Sequence, residues 1–295
     1  MNSKNLLFLI LYLGIFPSIL GQEVLQYNLN KGDVFNIQQE ARQAIVQEFE
    51  GASHEITNDL SGILEFKVID ASSDTYILDV TYKDLVLKMT SSIQGELVNV
   101  HAQEVDTNDI QSKIFNSLLN VPIQITLASN GNVLKVVGGD SLVSKMAQAS
   151  GLTDEFSLNM MKASLKKEFG SEALSNSYKQ MTYIYPDKEI FVGDNWENDY
   201  EGKLSAHNKW QLDSLSIEKA TISGIATVVM DINEPTTTMK LDGTQDTKIT
   251  ADLKSGFILK MKVDGFSKGF STIMQMGEQQ IPTSIKSTVT YEIIN

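Results

Sequence analysis

Hydrophobic and polar residues alternate with period two along most of this chain. Leu64, Phe66 and Val68 are interleaved with Glu65 and Lys67. Tyr76, Leu78, Val80 and Tyr82 are interleaved with Asp79, Thr81 and Lys83, and Val289, Tyr291 and Ile293 with Thr288, Thr290 and Glu292. A strand turns successive side chains to opposite faces, so the pattern predicts antiparallel strands with one apolar face. Clusters of turn formers separate the runs: Ala71-Ser72-Ser73-Asp74, Ser129-Asn130-Gly131, Asp242-Gly243 and Lys254-Ser255-Gly256. Ile285 to Ile294 reads as a last core strand.

Two stretches carry helical spacing instead. Between Thr107 and Leu119, the residues Ile110, Ile114, Phe115, Leu118 and Leu119 share one helical face, with Asp106 or Thr107 as cap and Pro122 just beyond the end. From about Ser141 to Met181 three further helices are expected. Asp140 would cap the first, which ends near Gly151. Thr153 would cap the second, which carries Phe156, Met160, Met161, Leu165 and Phe169 and stops at Gly170. Ser171 would cap the third, through Leu174 and Tyr178, and Pro186 closes the region.

A weak internal repeat runs beneath these elements. Gly32-Asp33-Val34-Phe35 is echoed by Gly193-Asp194-Asn195-Trp196. Ile125-Thr126 through Gly131 to Leu134-Lys135 is echoed by Ile249-Thr250 through Gly256 to Leu259-Lys260. The first copy is longer, and the helical segment near 107–119 accounts for much of the excess. The fold expected is mainly β with an α component (α+β), curved antiparallel sheets from two weakly repeated halves. Residues 22–139 form the first half and 183–295 the second, with the helical segment 140–182 between them covering a sheet face. One continuous sheet and two packed sheets both satisfy the pattern.

The first residues change the picture of where the protein works. Lys4 precedes an apolar run from Leu6 to Leu13; Pro17 and Ser18 break it, and Gly21 supplies a small residue before Gln22. This is the order of a secretory signal, expected over residues 1–21, with an apolar run too short for a comfortable membrane span. The expected product is exported and soluble, periplasmic or extracellular. The chain has no cysteine, so disulfides, thiolate metal sites and a cysteine-borne lipid anchor are excluded by chemistry. A net charge of −13, with Arg42 the only arginine, argues against nucleic acid and against anionic membrane surfaces as partners. No later segment approaches a transmembrane run.

Candidate chemistry is sparse. Gly265-Phe266-Ser267-Lys268-Gly269 has the letters of a hydrolase nucleophile elbow, but no histidine follows it and its flanks read as strands. Ser164-Leu165-Lys166-Lys167 falls on an amphipathic helix without companion motifs. His54, His101 and His207 have no second histidine at metal-ligand spacing, and no glycine-rich phosphate loop occurs. Asp194, Glu197, Asp199 and Glu201 form an acidic stretch in which the last three share one strand face, a pattern that a calcium ion or plain solvation would both explain. No catalytic residue, metal site or cofactor is expected.

Methionine supplies the remaining signal. Met146, Met160, Met161 and Met181 lie on the central helices, and Met274 and Met276 near the C-terminus. Methionine adapts to varied apolar partners, so a sheet covered by such helices suits an apolar ligand cavity. Phe156, Met160, Met161 and Leu165 are the expected ligand-binding lid.

Lys31-Gly32-Asp33-Val34-Phe35, Val192-Gly193-Asp194-Asn195-Trp196 and the Gly256-Phe257-Ile258-Leu259-Lys260 hairpin resemble a family of uncharacterised exported proteins common in Bacteroidota, a domain of unknown function. The layout also resembles the periplasmic lipoprotein carriers and related lipid-binding proteins, whose curved antiparallel sheets are closed by helices around an apolar interior. That resemblance implies an apolar ligand such as a lipid or acyl chain and transfers no residue. A non-catalytic envelope protein with such a ligand is the leading expectation. A structural or protein-interaction component of the envelope comes second, and a hydrolase with an unrecognised site third.

Overall fold

The computed structural model describes residues 24–234, 236–274 and 279–294. The expected signal segment and Met276 lie outside the described residues. In chain order the strands are β1 (Val34–Phe49), β2 (Ala52–Ala71), β3 (Thr75–Ser91), β4 (Gly95–His101), β5 (Pro122–Ala128) and β6 (Val133–Val137). They continue with β7 (Asn195–Tyr200), β8 (Leu204–Leu215), β9 (Lys219–Glu234), β10 (Thr237–Asp252), β11 (Ile258–Ile273) and β12 (Ile281–Ile294). Helix α1 (Ile110–Leu118) lies between β4 and β5; α2 (Gly139–Ala149), α3 (Glu155–Phe169) and α4 (Ser171–Thr182) lie between β6 and β7.

All of these strands join one curved, unclosed antiparallel sheet, so the sheet is continuous. Its order is β6-β5-β3-β2-β1-β12-β11-β10-β9-β8-β7, with β4 paired to the far part of β3. On either side of β12 the same five-strand meander is written twice. β12 pairs with β1 on one flank and β11 on the other.

The repeated Gly-Asp motif makes the same bonds in both halves. Gly32 N donates to Val68 O (2.9 Å) and Gly193 N to Leu212 O (2.7 Å). Val68 N returns to Asp33 O (2.9 Å) and Leu212 N to Asp194 O (3.1 Å). The Asp33 carboxylate accepts from Asn30 N at 2.8 Å, and that of Asp194 from Phe191 N at 2.9 Å. Both glycines have positive φ, 96° and 94°, which side-chain-bearing residues rarely adopt. Each motif thus turns an extended lead-in segment into the first strand of its meander.

Residues 24–29 form the lead-in of the first half and cross the base of the sheet. Leu25, Tyr27 and Leu29 alternate into the core. Tyr27 N donates to Ser129 O in the β5–β6 turn, and Asn28 N to Ser255 O in the β10–β11 turn, both at 2.8 Å. The strap ties together the two turns that the sequence pairs as repeats. Beneath it, Phe35 stacks on Phe257 with ring centroids 3.9 Å apart.

Two expectations are corrected locally. Asp242-Gly243 is no turn: β10 runs unbroken through it, because Gly243 lies so close to β11 that a Cβ there would meet Ser267 Oγ at 2.2 Å. Here the glycine marks a close strand approach, not a reversal. Helix caps sit a residue or more away from those expected. Asp109 caps α1 and Asp154 caps α3 through side-chain bonds, while Gly138 and Gly170 precede α2 and α4. Residues 281–294 form a central strand of the sheet.

Candidate functional site

Strand register decides what the concave face presents. Met261 lies opposite Tyr291 and Ile249, Val263 opposite Val289 and Thr247, and Gly265 opposite Ser287 and Gln245. Side chains that share a register row share a face, so β10, β11 and β12 lay down a mixed apolar and amide floor. β8 extends it with Asn208, Trp210 and Leu212, all buried. The Trp210 ring lies against Gly224 of β9, where a Cβ would come 2.3 Å from the ring. Only glycine lets the ring lie so flat on the neighbouring strand.

A void of about 60 Å³ lies on this floor beneath α4. Gln180 of α4 roofs it; Tyr200, Trp210, Met261, Val263 and Tyr291 are among its walls. The polar atoms of these walls are drawn to neighbouring protein groups. Trp210 Nε1 donates to Asn198 Oδ1 (3.0 Å), Asn198 Nδ2 to Tyr183 O (2.7 Å) and the Tyr200 hydroxyl to the same carbonyl (2.9 Å). Gln180, Asn208, Gln245 and Thr247 share the lining of the void with these rings. Burial pushes the Tyr291 hydroxyl up to about 12 and raises that of Tyr200 further, so both phenols stay neutral and act as apolar walls with a donor.

The concave face continues along β1 and β2 beyond the helices. Gln43 pairs with Asn58 and Gln47 with His54 across the two strands. Among the described residues, Asn58 Oδ1 and His54 Nδ1 are buried without a hydrogen-bond partner. Gln47 Nε2 donates to Ser271 Oγ at 2.8 Å, reaching over β12 to β11. Amides and hydroxyls therefore punctuate an otherwise aliphatic trough.

The helices divide into two groups. α2 buries Leu142, Val143 and Met146, and α4 buries Leu174, Tyr178 and Met181; α4 also touches both edge strands, β6 and β7, and so stands across the open seam of the sheet. α3 has no buried residue and packs on α2 and α4. Of the expected lid, Met161 and Leu165 are half-buried against the core, whereas Phe156 is 76% and Met160 59% exposed. None of the four lines the void, whose named walls come from α4 and the second half. Trp210, Gln180 and Gln245 went unnoticed in the sequence; the alternation of Asn208, Trp210 and Leu212 with Lys209 and Gln211 was the available signal.

A larger, open cleft of about 680 Å³ lies between α3, α4 and the β7–β8 turn, and Gln180 lines it too. Lys167 Nζ meets Glu234 at 2.6 Å and Lys203 Nζ meets Glu168 at 2.6 Å, with Lys203 to Glu234 at 3.9 Å.

The remaining motifs fall into ordinary surroundings. Ser267 is buried in the middle of β11, and Ser164 is exposed on α3. Glu197 and Asp199 are met by basic partners on β8: Asp199 lies 2.8 Å from His207 Nδ1, and Glu197 lies 3.5 Å from Lys209 and 3.7 Å from His207 Nε2. Cross-strand pairing therefore accounts for two of the three carboxylates on that face. Among the described residues no helix is long and apolar enough to cross a membrane.

A family model described as a family of unknown function, DUF6263, matches residues 73–258. No curated protein matches the chain. Among solved structures, one reported as lipid–protein interactions in lipovitellin is similar over 91% of this chain, at 8% identity and a TM-score of 0.50. The match takes in 26% of the lipovitellin chain, so this protein spans about a quarter of that molecule. An outer membrane channel from Pseudomonas putida F1 (6% identity, 91% of this chain, 97% of that one) gives a TM-score of 0.25. DynF of the dynemicin pathway of Micromonospora chersina (6% identity, 92% and 85%) gives the same score.

Proposed function

The chain belongs to that family of unknown function, and since no activity comes with membership we propose that it is an exported, non-catalytic protein of the cell envelope that holds an apolar ligand, such as a lipid or acyl chain, on the concave face of its sheet. The observation that carries this reading is the concave floor itself. Trp210, Met261, Val263 and Tyr291 turn apolar surface toward a void under α4, and the floor runs on past the helices. The fold shared with a structure concerned with lipid–protein interactions supports it.

The void of about 60 Å³ holds only about two waters. Small-molecule sites run to roughly 300–1,000 Å³. The ligand-bound form is therefore an opened one, with more of the floor uncovered than in this structure. Native mass spectrometry of residues 22–295, secreted into a bacterial periplasm and purified without detergent, tests the reading. Extra mass that organic extraction removes and identifies as lipid supports it. An apo mass that stays unchanged after incubation with mixed envelope lipids refutes it.

A second reading rests on the convex side, where Ile225, Val229, Phe266 and Phe270 are each half-exposed or more. An apolar surface of this kind suits a protein partner in the envelope. A single stoichiometric partner recovered from envelope extracts would favour it.

A further inference from the structure

We propose that the cleft between α3, α4 and the β7–β8 turn is the portal through which a single-chain amphiphile reaches the concave face, and that Lys167, Glu168, Lys203 and Glu234 are the clasp that holds it shut. The proposal rests on the reading above that the concave face takes an apolar ligand. Three observations carry it.

The first is continuity. Gln180 lines both the cleft of about 680 Å³ and the void on the sheet floor, so the two spaces adjoin at this side chain. The second is the way α3 is attached. It has no buried residue and packs on its neighbouring helices, while its ion pairs to the second half come from Lys167 and Glu168. Their partners are Glu234 at the end of β9 and Lys203 in the β7–β8 turn, and Lys203 lines the cleft together with α3 and α4. All four side chains are a third to two-thirds exposed, so water competes for them and the clasp is weak enough to open. The third is the pivot. Gly170 caps the end of α3 and the start of α4 in extended backbone, so the two helices meet at one residue. α4 is anchored by buried Leu174, Tyr178 and Met181, whereas α3 is held by half-buried Met161, Leu165 and Phe169 and by its packing on α2, so α3 is the less firmly seated of the two.

The charges of the cleft suit a polar head. Lys166, Lys167 and Lys203 lie there with Glu168 and Glu172, beside the amides of Asn176 and Gln180. The head would rest among them while the tail passes Gln180 toward Trp210 and Met261. Lys167 holds the Glu234 carboxyl below its usual range, as a working ion pair requires.

The absence of cysteine makes the test clean. Lys167→Cys with Glu234→Cys, bridged by a short bismaleimide, fastens α3 across the cleft. Bridging is expected to slow uptake of dansyl-labelled undecanoic acid about tenfold relative to the same variant with both thiols capped singly. Equal uptake by bridged and capped protein overturns the portal. Independently of any ligand, Glu234→Lys is expected to speed amide hydrogen exchange in α3 about fivefold while β2 and β10 stay unchanged. Unchanged exchange in α3 overturns the clasp. Should no form of the protein take up the probe, the ligand reading fails, and the α3 exchange alone decides whether the clasp exists.

Discussion

Replacing Gly256 by alanine puts a number on the strap that closes the base of the sheet. Gly256 has φ of +68°, and a Cβ there would lie 1.9 Å from Gln26 O, 2.6 Å from Gln26 C and 2.8 Å from Tyr27 Cα. Every one of those atoms is backbone, so no side chain can rotate away and the strap itself must lift. Gly32 provides the matched control: its φ is +96°, yet nothing lies within 4 Å of the added carbon. Gly32→Ala therefore reports backbone strain alone, about 1–2 kcal/mol. Gly256→Ala adds an overpacking cost of about 1–3 kcal/mol. It also weakens the bonds from Asn28 N to Ser255 O and from Tyr27 N to Ser129 O, at about 1 kcal/mol each. The expected loss is about 4–7 kcal/mol, some 3–5 kcal/mol more than at Gly32. Urea titration of both variants reads the difference, and thermal melting should separate them by about 6–15 °C. Gly131→Ala should behave like Gly256→Ala, because its added carbon would lie 1.8 Å from Thr182 O. Equal losses at Gly32 and Gly256 would show that the strap does not bear on the turn, and the reasoning would fail.

Other outcomes are sharp enough to measure. Trp210→Ala should cost about 3–5 kcal/mol in urea titration, because it removes a fully buried ring and strands Asn198 Oδ1; a loss below about 1 kcal/mol would mean the floor is not packed as described. Met160→Asp should change stability by no more than about 0.5 kcal/mol, since Met160 is 59% exposed. Met181→Asp, at 3% exposed, should be severely destabilising. Acid should loosen α3. The Glu234 carboxyl is lowered by its hydrogen bond to Lys167, so the folded form holds its proton less tightly than the unfolded chain does. Its contribution is complete above the usual carboxylate range and is lost as pH falls through its depressed value. Lys167, Lys203 and Glu168 are the charged groups around it. Amide exchange in α3, corrected for intrinsic rates, should accelerate on acidification while α4 holds; parallel change in both helices would count against the clasp.

Much of the fold is legible in the chain because it is local. The alternation of Leu64, Phe66 and Val68 places all three in the core, and Trp196, Asn198 and Tyr200 point inward as their spacing requires. Gly32-Asp33 and Gly193-Asp194 reveal their kinship because each motif makes its bonds within a few residues and to one neighbouring strand. What escapes is set by distant contacts. Gly243 has the letters of a reversal, and only the nearness of Ser267 makes it a strand residue. Phe156 and Met160 share the helical spacing of Met161 and Leu165, but α3 packs on other helices and buries one side partly. The void was out of reach for the same reason. Its walls come from α4 and five strands of the second half, and no run of residues announces that Gln180 will meet Trp210 and Tyr291.

The place of β12 has a consequence for how the protein is made. Of the described strands it leaves the ribosome last, yet it occupies the middle of the sheet, between β1 and β11. Until residues 281–294 have emerged, β1 and β11 each offer a long row of unpaired amides and carbonyls, one from each meander. Such rows invite pairing with other chains. The nascent protein is thus a pair of half-sheets with sticky inner margins, and its final strand is the keystone. A chain interrupted before Ile281 would keep both margins open, which makes early termination a route to aggregation more than to a smaller working protein.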